Sequence, residues 1–119
     1  MVKAILLDWD GVISYSMKPI WMANVMTCNF FGKPALTYDE WYDIQAHSGA
    51  EFFRAQGFEG DLAPVFQQLY EYFKTIVEKS PPVMNPDAPM ALEYFSSKGL
   101  SIGIVSSHPE TFLRKEIEL

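Results

Sequence analysis

Two aspartates one residue apart, Asp8 and Asp10, close an apolar run in the stretch Ala4 to Ser14, AILLDWDGVIS. A carboxylate held at the end of a strand can attack a phosphoryl centre and form an aspartyl phosphate, provided that a metal ion offsets the repulsion between two anions. Asp8 is placed for that role. A second carboxylate two positions on points to the same side of an extended backbone, where it can give a proton to the leaving group and take one from the attacking water. Asp10 fits that role. The Ile- and Leu-rich run reads as a buried strand, and parallel sheets keep their chemistry at the carboxyl ends of their strands.

The elements that must position these carboxylates can be read along the chain. Val2 to Asp8 is predicted as the first strand, with Trp9 packing on the opposite face and Gly11 permitting the tight turn that follows. From Met17 to Phe31 (MKPIWMANVMTCNFF) apolar side chains recur at three- and four-residue steps, which predicts a helix ending at Gly32 whose Met and aromatic stripe is core packing. Thr37 and Glu40 make a capping-box pattern, so a second helix is expected from Tyr38. A short helix around Ala50 to Gln56 and a longer one from Leu62 to Glu78, with Asp61 as its N-cap, complete a helical block. KSPPVMNPDAPM then leads the chain back, stiffened by prolines, to a different structural unit. Pro89 to Lys98 is predicted helical, closed by Gly99, and Leu100 to Val105 as a second strand ending in Ser106, Ser107 and His108, a residue that could touch substrate but reads better as a solvent-exposed loop histidine. Strand, helical insertion, helix and strand make a parallel pair with a crossover, so both polar ends fall on one edge of the sheet.

Composition narrows the function classes. In 119 residues, 49% hydrophobic and 15% aromatic content supports a packed core in one domain carrying an insert. A net charge of −6 gives no basic field for phosphate backbones and argues against a nucleic-acid partner. The single cysteine, Cys28, reads as a small buried group on a helix and has no internal disulfide partner. No apolar run approaches the ~20 residues of a membrane span, and a reducing, cytoplasmic setting is the expectation.

The whole chain resembles the haloacid dehalogenase-like (HAD) hydrolases. LLDWDGV is similar to the first motif of that superfamily, and IGIVSS to its second, an apolar strand ending in Ser or Thr. The stretch PPVMNPDAPMALEYFSSKGLSIGIVSS resembles the approach to the second motif in phosphoglycolate-phosphatase-like members. The resemblance implies an α/β Rossmann-like parallel sheet, of which this chain holds two strands, formed by residues 1–14 and 81–119, with residues 15–80 as an inserted helical cap. It also implies a Mg²⁺ ion held by Asp8 and the main-chain carbonyl of Asp10, and phosphoryl oxygens held by Ser106 and the Ser107 backbone N–H. As a plainer role, Ser106 and Ser107 would cap the following helix. QAHSGAEFFRAQG resembles the cap loop that reaches over the active site, which makes His47, Ser48 and Arg54 candidate substrate contacts and Gly49 the point of close approach. Arg54 could pair with a substrate carboxylate or second phosphate, or be a solvated helix charge. Because Asp10 is present, phosphoryl transfer from a small phosphorylated metabolite is favoured over carbon–halogen cleavage.

The third and fourth motifs of the family, a lysine and the acidic residues that finish the Mg²⁺ site, have no counterpart; Lys115 lacks the context of the former. Three expectations follow. The chain is the N-terminal part of a phosphatase completed by further polypeptide, or a non-catalytic phosphate- or partner-binding module, or a structural subunit that pairs its sheet edges with a copy of itself.

Overall fold

The computed structural model describes residues 1–45 and 48–118. Two compact units divide the chain, one built from Met1–Met17 with Pro81–Leu119, the other from Lys18–Ser80.

In the first unit, β1 (Ala4–Leu7) pairs in parallel with β2 (Ser101–Ile104), with Ala4 opposite Ser101 and Leu7 opposite Ile104. The ladder runs one bond further, from the Val105 N–H to the Leu7 carbonyl at 2.9 Å. Both strands are one or two residues shorter at each end than the sequence predicts, because only Ala4–Leu7 and Ser101–Ile104 are paired in register across the ladder. Helix α5 (Ala88–Ser97) carries the crossover and packs on β2, and Gly99, at φ 70°, supplies the left-handed turn that ends it. Helix α6 (Glu110–Glu118) follows β2. Trp9, Ile13 and Ala88 form the buried core, with Leu7, Leu92, Ile104 and Leu113 packed around it.

The other face of the sheet is open, although the apolar run of β1 calls for cover on both faces. Leu6 is 71% and Val105 63% exposed, so among the described residues of this unit little lies over them. Gly103 belongs to that face, opposite Leu6; a Cβ there would come within 2.8 Å of Leu6 Cδ2.

In the second unit, α1 (Met17–Phe30) ends near Gly32, α2 (Tyr38–Ile44) starts from a capping box of Thr37 and Glu40, and α3 (Gly49–Ala55) from one of Ser48 and Glu51. The S-x-x-E spacing of Ser48 and Glu51 is the same signature as that of Thr37 and Glu40. Helix α4 (Ala63–Lys79) has Leu62, not Asp61, at its N-cap position; Asp61 still accepts a hydrogen bond from the Ala63 N–H at 3.0 Å, one residue outside the expected place. Phe53, 1% exposed, sits in edge-to-face contact with Phe52, Phe58 and Phe66 at centroid distances of 5.2 to 5.4 Å. Cys28 is buried as expected, and burial pushes its thiol pKa up.

Candidate active site

β1 ends at Leu7, and the chain turns sharply through residues 9 to 14. The Trp9 carbonyl accepts from the N–H groups of Val12, Ile13 and Ser14 at 3.3, 3.0 and 2.9 Å, which folds the backbone back on itself directly after Asp8. Gly11 takes φ 75° in that turn, and a Cβ there would also press on the Met17 side chain at 3.0 Å. The returning strand end is fixed by the Asn85 N–H to the Ile13 carbonyl, at 2.7 Å, and by the Tyr15 N–H to the Val83 carbonyl, at 2.8 Å. The proline-rich stretch is thus what holds the Asp-bearing turn in place.

Within this frame Asp8 is exposed just past the last paired residue, and its Oδ1 accepts from the Trp9 N–H at 2.7 Å. Asp10 is more enclosed, its side chain 20% accessible. The Ser16 hydroxyl donates to its Oδ1 at 2.6 Å, and His108 Nδ1 lies 2.9 Å from its Oδ2. Because Leu7 stands opposite Ile104, the residues that follow each strand, Asp8 and Ser106 among them, emerge on the same carboxyl edge. The Ser106 Oγ accepts from the His108 N–H at 3.0 Å, a local turn that leaves the hydroxyl hydrogen available to donate. Ser107 beside it is exposed.

His108 corrects the sequence reading. It is not an exposed loop residue but is buried, with 2% of its side chain accessible. Asp10 lies on one side of the ring, and on the other Glu116 Oε1 stands 3.2 Å from Nε2, at ion-pair distance without hydrogen-bond alignment. Burial alone would lower the imidazole pKa, but the hydrogen bond to Asp10 and the close carboxylates of Asp10 and Glu116 outweigh it and raise the pKa to about 9. The second Glu116 oxygen accepts the Trp9 indole N–H at 2.5 Å. Sequence reasoning did not bring His108 and Glu116 together with Asp10 and Trp9, which lie 98 and 107 residues earlier in the chain than their partners.

The residues expected to read substrate are placed differently. His47 lies outside the described residues. The Ser48 hydroxyl accepts from the Glu51 N–H at 3.2 Å as the cap of α3. Gly49 is a point of close approach, but toward Phe66, whose Cε1 would stand 3.0 Å from an added Cβ. Arg54 donates to the carbonyls of Phe58 and Gly60 at 3.1 and 2.6 Å, so its guanidinium closes a loop within the helical unit.

With this geometry in view, the likeness to solved structures has a physical content. The chain superimposes over 99% of its length on 56% of CbbY from Rhodobacter sphaeroides, solved in complex with phosphate, with a TM-score of 0.73 at 18% identity. It matches a HAD hydrolase, family IA, variant 3 from Entamoeba histolytica over 98% of its length and 54% of that chain, with a TM-score of 0.77 at 13% identity. A predicted phosphoglycolate phosphatase from Haemophilus somnus gives a TM-score of 0.67 at 14% identity over 98% of this chain and 56% of that one. The chain therefore has the HAD-like α/β fold, and it spans about half the length of the solved structures it matches. No family model and no curated protein matches its sequence.

The sequence resemblance leads to the expectation of a divalent cation. Among the described residues no three His, Cys, Asp or Glu side chains cluster as a metal site, and both Asp10 carboxylate oxygens already have partners. The described residues do not by themselves build a complete magnesium site. Among them, no helix is long and apolar enough to cross a membrane.

Proposed function

We propose that this chain carries the nucleophile half of a phosphatase or phosphotransferase acting on a small phosphomonoester. The observation that carries the reading is the parallel register of β1 and β2, which brings Asp8, Asp10 and Ser106 to one carboxyl edge. In the first step an Asp8 carboxylate oxygen attacks phosphorus as the bond to the leaving oxygen breaks, and Asp10 delivers its proton to that oxygen. In the second step Asp10 takes a proton from water, which attacks the aspartyl phosphate and restores Asp8. The Ser106 hydroxyl and the Ser107 N–H donate to the phosphoryl oxygens as charge gathers on them.

Of a magnesium site this chain supplies the Asp8 carboxylate and the Asp10 main-chain carbonyl, and the missing donors and lysine come from polypeptide beyond it. The open sheet face at Leu6 and Val105 supports this: aliphatic side chains 71% and 63% exposed fit a surface that further chain covers, as do matched structures nearly twice as long. The helical unit, read as a cap, sets substrate choice. A reducing, cytoplasmic setting is in keeping with the lone, buried Cys28.

The test is turnover of a generic phosphomonoester by the complete enzyme. Asp8→Asn should abolish it, whereas Asp10→Asn should slow it strongly and leave a phosphoenzyme that decays slowly. Near-normal turnover by Asp8→Asn would remove the assignment and leave the fold alone. The same open face favours one other reading, pairing of the sheet with a second copy; light scattering that shows a dimer, with phosphatase assays blank throughout, would decide for it.

A further inference from the structure

Four side chains of the α/β unit form a chain of contacts that returns to its starting point. Asp10 meets His108 at 2.9 Å, His108 meets Glu116 at 3.2 Å, Glu116 accepts from Trp9 at 2.5 Å, and Trp9 is the residue between Asp8 and Asp10. Glu116 is 9% accessible and His108 2%. Burying an imidazole and a carboxylate costs several kcal/mol of desolvation that their attraction only partly returns, and an apolar pair of the same volume often serves stability as well or better. The Phe112 ring, at 6.3 Å from the imidazole in edge-to-face geometry, shows that apolar packing reaches this spot, yet the polar group is what faces Asp10.

A terminal carboxylate rotates broadly about its last torsion, and as an acid–base group it works only when its free lone pair faces the reacting oxygen. Ser16 alone, bonding Oδ1 from six residues away in the same turn, leaves the tilt of the second oxygen undetermined. We propose that His108, braced by Glu116 on α6, is the positioning residue that fixes the plane of the Asp10 carboxylate for proton transfer. The inference rests on the reading of Asp10 as the acid–base group. Helix α6 then acts through Glu116: it holds the ring that holds the carboxylate, while Glu116 also ties down Trp9 and with it the backbone between the two aspartates.

The test separates orientation from mere support. Asparagine places an amide N–H close to the position of His Nδ1 but cannot reach Glu116, so His108→Asn keeps the donor to Asp10 and His108→Ala removes it. In the complete enzyme, His108→Ala should lower kcat for a simple alkyl phosphate by about 10²-fold with little change in KM, and His108→Asn should recover at least about tenfold of that loss. With p-nitrophenyl phosphate, whose leaving group departs without a proton, the loss in kcat/KM, which reports only on phosphoryl transfer to Asp8 and not on the later hydrolysis common to both esters, should be much smaller. Equal losses in kcat/KM on the two esters, or equal losses in the Ala and Asn variants, would overturn the proposal. A readout independent of turnover uses the ¹⁵N-labelled 119-residue chain: the His108 ring Nδ1–H should give a resonance protected from exchange, kept in Asp8→Asn and lost in Asp10→Ala. Its absence from the unmodified chain would equally overturn the proposal. Turnover in Asp8→Asn reads separately on the nucleophile, so failure of one assignment is not mistaken for failure of the other.

Discussion

Phe53 in the helical unit and His108 in the α/β unit are both nearly inaccessible, but they are enclosed by opposite kinds of neighbour. Among the described residues the aromatic partners of Phe53 are phenyl rings, and several polar groups of its unit are satisfied close by: the Thr27 hydroxyl on the Ala23 carbonyl, the Trp21 indole on the Leu36 carbonyl, Arg54 on two loop carbonyls. His108 is enclosed by two carboxylates, while Leu6 and Val105 of the same unit stand open to solvent. The phenyl cluster of the helical unit is enclosed by apolar packing and local hydrogen bonds, whereas the α/β unit, beside its apolar core of Trp9, Ile13 and Ala88, also encloses an imidazole between two carboxylates. Apolar enclosure is what stability alone selects; an enclosed charge pair costs desolvation and calls for another reason.

That contrast can be attacked where it predicts the largest effects. Phe53→Ala removes a ring from a packed aromatic cluster and should cost about 3–5 kcal/mol, a large part of the stability of a domain this size, read from urea unfolding of the chain. A change of pH should act on the other unit. The His108 pKa is raised above its unfolded value of 6.5 to about 9, so the stabilisation it brings is full below about pH 6.5 and is lost as pH rises through 9. Melting temperatures across that window should fall with rising pH, less steeply in His108→Gln, by an amount between the loss of a core ring and the loss of a helix cap. Ser48→Ala, which removes the cap of α3, should cost about 1 kcal/mol in the same unfolding assay. Smallest of all, Leu6→Ser should change the stability of this chain by no more than about 0.5 kcal/mol, because the side chain is already 71% exposed. In a complete protein that covers the sheet face the same substitution should cost about 2 kcal/mol or more, and equal small effects in both would mean that the face stays open.

Which of these features the sequence disclosed follows from how local their causes are. Asp8 and Asp10 were visible because a strand end followed by Asp-x-Asp-Gly is set by adjacent residues, and the start of α2 was visible because a capping box spans three residues. The capping box of Ser48 and Glu51 is equally legible, with the same three-residue spacing. His108 could not be placed the same way: in SSHPE it has the surroundings of a loop, and what buries it is Asp10, 98 residues earlier in the chain, with Glu116 two turns into the next helix. The open face at Leu6 was legible in outline: both strands are apolar enough to need cover on two faces, and the chain offers mainly the helices near Pro89 and Glu110 to give it.

The central claim is that Asp8 becomes covalently phosphorylated, and it can be tested without reference to rate. The complete enzyme, mixed with a phosphomonoester and quenched in acid within a turnover, should carry one phosphoryl group that is lost in base or hydroxylamine, with the label on the peptide containing Asp8 and none in Asp8→Asn. A label on Ser106, Ser107 or His108, or its persistence in Asp8→Asn, would contradict the account.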